Sequence, residues 1–106
     1  MKKSLQVGDK IPHFSLPNQH NEEVHIADHL GKGPLVIYFY PKDDTPKCTA
    51  EACSFRDQYE VFQEAGADVI GISFDSPERH ARFAQSNRLP FTLLSDKGKK
   101  VLKQFG

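Results

Sequence analysis

At 106 residues the chain has room for one small domain, expected to run from residue 1 to 106. Lys+Arg and Asp+Glu both number 14, so no net charge draws the chain to nucleic acid or to an anionic membrane. Two cysteines are too few for a disulfide-stapled secreted scaffold, and no apolar stretch approaches the ~18 residues that cross a bilayer.

The start, Met1-Lys2-Lys3-Ser4-Leu5, has the lysines of a signal-peptide n-region but no apolar h-region behind them. The expected location is the cytoplasm. Val7-Gly8-Asp9-Lys10-Ile11-Pro12 is turn material. Phe14 and Leu16, then Val24 and Ile26, alternate as in a small hairpin, joined by the turn residues Pro17-Asn18-Gln19-His20-Asn21. Gly31-Lys32-Gly33-Pro34 breaks the chain before Leu35-Val36-Ile37-Tyr38-Phe39-Tyr40. That continuous apolar run predicts a strand buried on both faces, in a sheet covered by helices. Pro41 ends it, and a loop follows.

Thr45 is a good N-cap and Pro46 a good first helical residue. Cys48, Ala52, Phe55, Tyr59 and Phe62 then form one stripe of an amphipathic helix that Gly66 ends. Asp68 to Phe74 reads as a second buried strand. Ser76-Pro77 opens a second helix running to about Asn87. Phe91-Thr92-Leu93-Leu94 is a third, short strand, and Ser95 to Gly98 a turn. Lys99 to Phe105 is a short helix with Gly106 at its C-cap, and the pair Lys99-Lys100 is expected on its solvated face. The order β-α-β-α-β-α predicts an α/β fold with a central parallel or mixed sheet flanked by helices.

The chemistry concentrates between Pro41 and Cys53. Cys48 is the third residue of the predicted helix, where unpaired amides and the helix dipole favour an anion. The thiolate is the nucleophilic form of cysteine, and ligands of open α/β sheets sit at the carboxyl ends of strands. The other reading of Cys48 is a buried structural cysteine on the apolar stripe. Cys53 lies roughly 140° around the helix and ~7.5 Å along it. The two α-carbons are then ~8–9 Å apart, beyond the ~7 Å reach of a disulfide. Cys53 is expected to face outward, among Arg56, Asp57 and Glu60. It is either an incidental thiol or one that reaches Cys48 when the helix start unwinds. The spacing is not that of a C-x-x-C motif. No metal site is expected, because zinc needs four ligands and the histidines are scattered: His25 and His29 straddle a strand end, and His13, His20 and His80 lie apart. No cofactor is expected either, since there is no Gly-rich phosphate loop and no G-x-S-x-G turn. The adjacent carboxylates Asp43-Asp44 read as a solvated turn.

Val36-Ile37-Tyr38-Phe39-Tyr40-Pro41, then Thr45-Pro46-Lys47-Cys48, then Glu51-Ala52-Cys53-Ser54-Phe55-Arg56-Asp57 resemble the active-site motif of peroxiredoxins. The resemblance is closest to the Q-type group, the bacterioferritin comigratory proteins, marked by a second cysteine five residues after the first. It extends to Val7-Gly8-Asp9, Pro12, Phe14, Gly71-Ile72-Ser73 and Phe91 to Asp96, and so covers nearly the whole chain. It implies a thioredoxin-like fold and thiol-dependent reduction of hydrogen peroxide and organic hydroperoxides. By the same resemblance Pro41 shields the sulfur, Thr45 hydrogen-bonds the peroxide, and Cys48 becomes a sulfenic acid. Cys53 then condenses with it to a Cys48–Cys53 disulfide, which thioredoxin or a similar dithiol reduces.

Members of this group run further, through two more strands and a long C-terminal helix. That part also brings an active-site arginine, with Glu51 as its contact. No residue here matches that arginine: Arg56 lies two helical turns past Cys48, and Arg79, Arg82 and Arg88 lie on or just past another predicted helix. Without the extra strands Leu35 to Tyr40 would form an exposed apolar edge, which invites self-association. The chain is therefore expected to be a piece of a longer protein or an obligate assembly, and a sharp monomeric peak with reversible two-state melting would count against this. Short of full turnover, it would act as a redox-sensing thiol module or stand as an inactive fragment.

Overall fold

Phe14, Leu16, Val24 and Ile26 do fold back on one another. β1 (Ser15–Pro17) and β2 (Glu23–His25) pair antiparallel, with Leu16 opposite Val24. Asn18 ties the turn, its side-chain oxygen accepting from the amides of His20 and Glu22, as asparagine does in tight turns. A 3-10 turn, Ile26–His29, follows and buries Ile26 completely. The computed structural model describes residues 11–31 and 33–105. The Val7-Gly8-Asp9 segment and the C-cap expected at Gly106 lie outside the described residues.

β3 (Leu35–Phe39), β4 (Asp68–Ser73) and β5 (Thr92–Ser95) form a parallel sheet in the order β3-β4-β5. Parallel neighbours need long crossovers, and two helices supply them: α1 (Pro46–Glu64) and α2 (Pro77–Asn87). α3 (Lys100–Phe105) closes the described chain. Lys99 precedes α3 in the left-handed conformation, and its ammonium lies 4.5 Å from the Phe74 ring centroid. The antiparallel component of the fold comes from the hairpin, through a bridge between Asn18 and Leu94.

Alternation along each strand decides what each face buries. Val36, Tyr38, Val69 and Leu93 pack with Ala52, Phe55, Tyr59 and Phe83, which α1 and α2 lay over one face. Leu35, Ile37, Phe39, Ile70, Ile72 and Leu94 face the other way, against Phe14, Leu16, Val24 and Ile26. Phe105 of α3 seals that side, its ring centroid 5.9 Å from Phe14 and 5.2 Å from Phe39. The expected apolar stripe of α1 is thus real, with Cys48 and Ala52 buried and Phe55, Tyr59 and Phe62 half-buried. At its far end Gly66 turns left-handed. The Gly66 and Ala67 amides bond the Gln63 and Phe62 carbonyls at 2.9 and 2.8 Å, closing a Schellman end.

One expectation changes. β3 is half-buried along its whole length rather than buried on both faces, whereas β4 is buried from Val69 to Ser73. β4 has a strand on either side; β3 pairs only with β4 among the described residues. The outer edge of β5 is treated differently. The Gln19 side chain donates to the Phe91 carbonyl (3.1 Å) and accepts from the Leu93 amide (3.0 Å), standing in for a neighbouring strand.

Candidate active site

Both helices on the first face start at the carboxyl ends of strands, so the loop after β3 meets the loop after β4. α1 begins at Pro46, which makes Cys48 its third residue. Thr45 takes the extended N-cap backbone conformation, but its side chain does not cap the helix. Its hydroxyl donates instead to the Lys42 carbonyl at 3.3 Å. The first intrahelical bond runs from the Thr49 amide to the Thr45 carbonyl at 2.8 Å. The Lys47 and Cys48 amides receive no cap from Thr45, so they remain available to an anion at the helix start. Cys48 is buried, as a structural cysteine would be, yet it sits in the first turn of α1, beside the helix start.

Cys48 and Cys53 are both free thiols within one unbroken helix. Cys53 does not face outward as expected; it is half-buried. The end of α2 covers it, and the Cys53 thiol donates to Asn87 Oδ1 at 3.7 Å. Asn87 is held in turn: its amide nitrogen donates to the Phe83 carbonyl (3.1 Å), and its own carbonyl accepts from Arg56 Nη1 (2.9 Å). A helical wheel of α1 carries no information about where α2 will lie.

Glu51, one turn beyond Cys48, is exposed. Arg56 is taken up by Asp57 and the Asn87 carbonyl. Arg79 is the arginine that the fold brings to the loop after β3: its guanidinium lies 3.1 Å from Asp75 Oδ1, and Nη2 donates to the Asp43 carbonyl at 3.5 Å. Pro41 is exposed and lines an apolar cavity of about 260 Å³ together with Tyr40, Phe74 and Leu102. Tyr38 presses its ring on Gly71, so closely that a Cβ there would sit 2.9 Å from it. The Tyr38 hydroxyl is buried without a hydrogen-bond partner. Burial pushes this phenol up, and the charges of Glu51, Asp43 and Cys48 push it further, so it stays protonated at neutral pH.

Asp43-Asp44 is not a solvated turn. Asp44 is exposed and left-handed, but Asp43 is 1% exposed. Nor does His80 lie apart from other ligand-type side chains: it is 0% exposed, with Nδ1 at 2.7 Å from Asp43 Oδ2 and Nε2 at 3.0 Å from the Leu94 carbonyl. Tyr40 donates to Asp43 Oδ1 at 2.6 Å. The Asp43 amide and the Ser73 hydroxyl each donate to Asp75 Oδ2 at 2.7 Å. Asp43, Asp75 and His80 bring ligand-type atoms within 4.8 Å of one another, and all three side chains are engaged in these hydrogen bonds. No local pattern could have shown this network, since Asp43 and His80 are 37 residues apart.

All three tyrosines are harder to ionise in the folded chain than in the unfolded one. Burial leads in each case. For Tyr40 the charge of Asp43 and the hydrogen bond to it add to burial. For Tyr59 the bond to Asp68 and its charge bring the phenol to about 12. Each raised phenol contributes stability in full below pH 10, the ordinary tyrosine value, and loses it as pH rises from there through the folded value. Absorbance at alkaline pH is therefore expected to show tyrosine ionisation and unfolding in one step above pH 10. A separate phenolate titration at pH 10 in the folded chain would contradict this.

The AhpC/TSA family model matches residues 7–106. The chain belongs to the AhpC/TSA family. Within it the chain is 54% identical over 99 residues to the chloroplastic peroxiredoxin Q of Sedum lineare, covering 93% of this chain and 53% of that protein. The peroxidoxin BcpB of Mycobacterium tuberculosis superposes with a TM-score of 0.90 at 42% identity, over 93% of this chain and 64% of that one. The bacterioferritin comigratory protein of Xanthomonas campestris, studied for its alkyl peroxide reduction activity, superposes with a TM-score of 0.83 at 34% identity, over 87% of this chain and 58% of that one. The fold is the thioredoxin-like peroxiredoxin fold, as the resemblance implied. The chain spans about half the length of the curated relatives it matches.

Proposed function

We propose that this chain carries the reacting thiols of a thiol peroxidase. The observation that carries the reading is Cys48 in the first turn of α1, beside amides that Thr45 leaves uncapped, with a second free thiol on the same helix. The Cys48 thiolate attacks the terminal oxygen of hydrogen peroxide or an organic hydroperoxide. The O–O bond breaks, water or an alcohol leaves with a proton, and Cys48 becomes a sulfenic acid. Pro41 shields the sulfur and Thr45 offers its hydroxyl to the peroxide, once that hydroxyl releases the Lys42 carbonyl. The Cys53 thiol then attacks the oxidised sulfur, water leaves, and a Cys48–Cys53 disulfide forms. Thioredoxin or a similar dithiol returns two electrons and two protons. The likeness to peroxiredoxin Q and to a protein known for alkyl peroxide reduction supports this substrate class. Glu51 belongs to the substrate side of the site through its position one turn beyond Cys48.

The setting in this reading is a reducing cytoplasm, which keeps both thiols free between cycles. The outer edge of β3, rich in apolar side chains, is the surface on which a second copy would pair. The test is mass spectrometry of the reduced chain after one equivalent of hydrogen peroxide, with peptide mapping. The expected product has lost two hydrogens and joins Cys48 to Cys53 within one chain. Two unmodified thiols after minutes would overturn the reading.

A further inference from the structure

We propose that the buried Asp43–His80 pair is the positioning latch for the loop that carries Pro41 and Thr45, holding it in the arrangement that receives peroxide. The proposal rests on the peroxidase reading for its consequence and on the side-chain geometry for its substance.

The loop from Pro41 to Thr45 follows Tyr40, the residue after β3, and leads into α1; it supplies two of the groups assigned to the peroxide. Asp43 is its midpoint and its only fully buried member. Each polar atom of Asp43 is taken up by a residue outside the loop. Its amide donates to Asp75 Oδ2 (2.7 Å) and its carbonyl accepts from Arg79 Nη2 (3.5 Å). Oδ1 accepts from Tyr40 (2.6 Å), and Oδ2 meets His80 Nδ1 (2.7 Å). His80 continues the line to β5 through Nε2 and the Leu94 carbonyl at 3.0 Å. A carbonyl can only accept, so Nε2 carries a hydrogen. The contact between Nδ1 and Oδ2 then holds one more proton, and it is a hydrogen bond whichever partner carries it. Rotating the ring would break both bonds at once in a site closed to water, where unpaired polar groups are costly. The loop after β3, the first turn of α2 and the end of β5 are thus joined through one imidazole. Asp44, next in the chain, holds a left-handed backbone immediately before Thr45. A loop free to relax at Asp43 would no longer hold the Thr45 hydroxyl in place at the start of α1.

Neither Asp43 nor His80 touches substrate in this account, so each is a positioning residue. The reaction has two separable steps, peroxide attack at Cys48 and resolution by Cys53. The first needs the loop held in place; the second needs the start of α1 to unwind, and Cys53 is held at the other end of α2, by Asn87.

The test measures both steps by stopped flow in D43A, H80L, the double variant D43A/H80L, and D43N, with amide hydrogen exchange on the reduced proteins. D43A and H80L are expected to slow the peroxide step about 10–100-fold, the loss that follows a misplacement of about 1 Å, and not to slow resolution, which opens the start of α1. Either single variant leaves a buried polar group unpaired and can unfold. The double variant removes both members of the pair and leaves only the Tyr40 hydroxyl and the Leu94 carbonyl to find other partners; it is expected to fold while keeping the slow peroxide step, no slower than either single change. D43N, whose amide can bond both Tyr40 and a neutral His80, is expected to restore the wild-type rate. Hydrogen exchange at the Asp43 amide and its loop neighbours is expected to rise about 10-fold or more in the double variant. A folded double variant that reacts with peroxide at the wild-type rate overturns the proposal. Unchanged loop exchange overturns it as well, whatever the wild type does with peroxide. A wild-type chain that leaves peroxide unreacted instead defeats the peroxidase reading, and the exchange measurement then decides the latch by itself.

Discussion

Cys48→Ser abolishes the rapid reaction with peroxide. The change swaps one atom and keeps everything around it: the uncapped Lys47 and Cys48 amides, the Thr45 hydroxyl and Pro41. What disappears is a group that can exist as a strong nucleophile near neutral pH, because a serine hydroxyl stays protonated there. Losing the nucleophile of an assembled site leaves little for the remaining groups to act on, and drops of about 10⁴-fold or more follow. Serine at a position that is 6% exposed costs about 1–3 kcal/mol for burying a hydroxyl. The fold is expected to survive, and circular dichroism separates that cost from the loss of chemistry. Competition kinetics with hydrogen peroxide checks the result. A Cys48→Ser protein that still consumes peroxide at the original rate would move the nucleophile to Cys53 and undo the assignment built on the first turn of α1.

Cys53→Ser behaves in the opposite way: it keeps the first step and loses the second. Cys53 lies five residues beyond Cys48, with its thiol on Asn87, so the first oxidation at Cys48 proceeds as before. No disulfide can then form within the chain, and Cys48 stops as a sulfenic acid that a dimedone-type reagent traps in a single labelled species. In the wild type the same moment requires the start of α1 to unwind, because an intact helix holds the two α-carbons ~8–9 Å apart and a disulfide needs less than ~7 Å. The bonds that must open are few. They include the one from the Thr49 amide to the Thr45 carbonyl and the thiol contact to Asn87. Turnover with a dithiol reductant is expected to fall about 10²-fold or more, as when a step loses a group held in place beside its target. Normal turnover of Cys53→Ser with thioredoxin would mean that the reductant attacks the sulfenic acid directly, and would remove Cys53 from the cycle.

These two outcomes rest on features legible in the sequence. Thr45-Pro46 and Gly66 bound α1 within a residue or two of where it starts and stops, because the extended residue before a first-turn proline and the left-handed turn are settled by neighbours only a few positions away. The alternation of Phe14 and Leu16 with Val24 and Ile26 placed the hairpin for the same reason. The five-residue interval between the cysteines, read on a helix of known pitch, already showed two thiols kept apart by regular structure.

The tertiary structure decided everything that depends on residues far apart in the chain. Cys53 became half-buried because the end of α2 came to rest on it. β3 is half-buried because burial of a strand depends on its neighbours in the sheet, not on its own composition. Asp43 gave the clearest divergence. Beside Asp44 in a loop, two adjacent carboxylates read as solvated; in the fold one of them meets His80 across 37 positions and leaves water entirely. Helix limits, strand identity and the spacing of reactive thiols are properties of a few consecutive residues, so the sequence by itself determined them. The partner of a buried carboxyl group is set by how parallel strands and their crossovers bring distant loops to the same end of a sheet, and only the assembled fold contains that information.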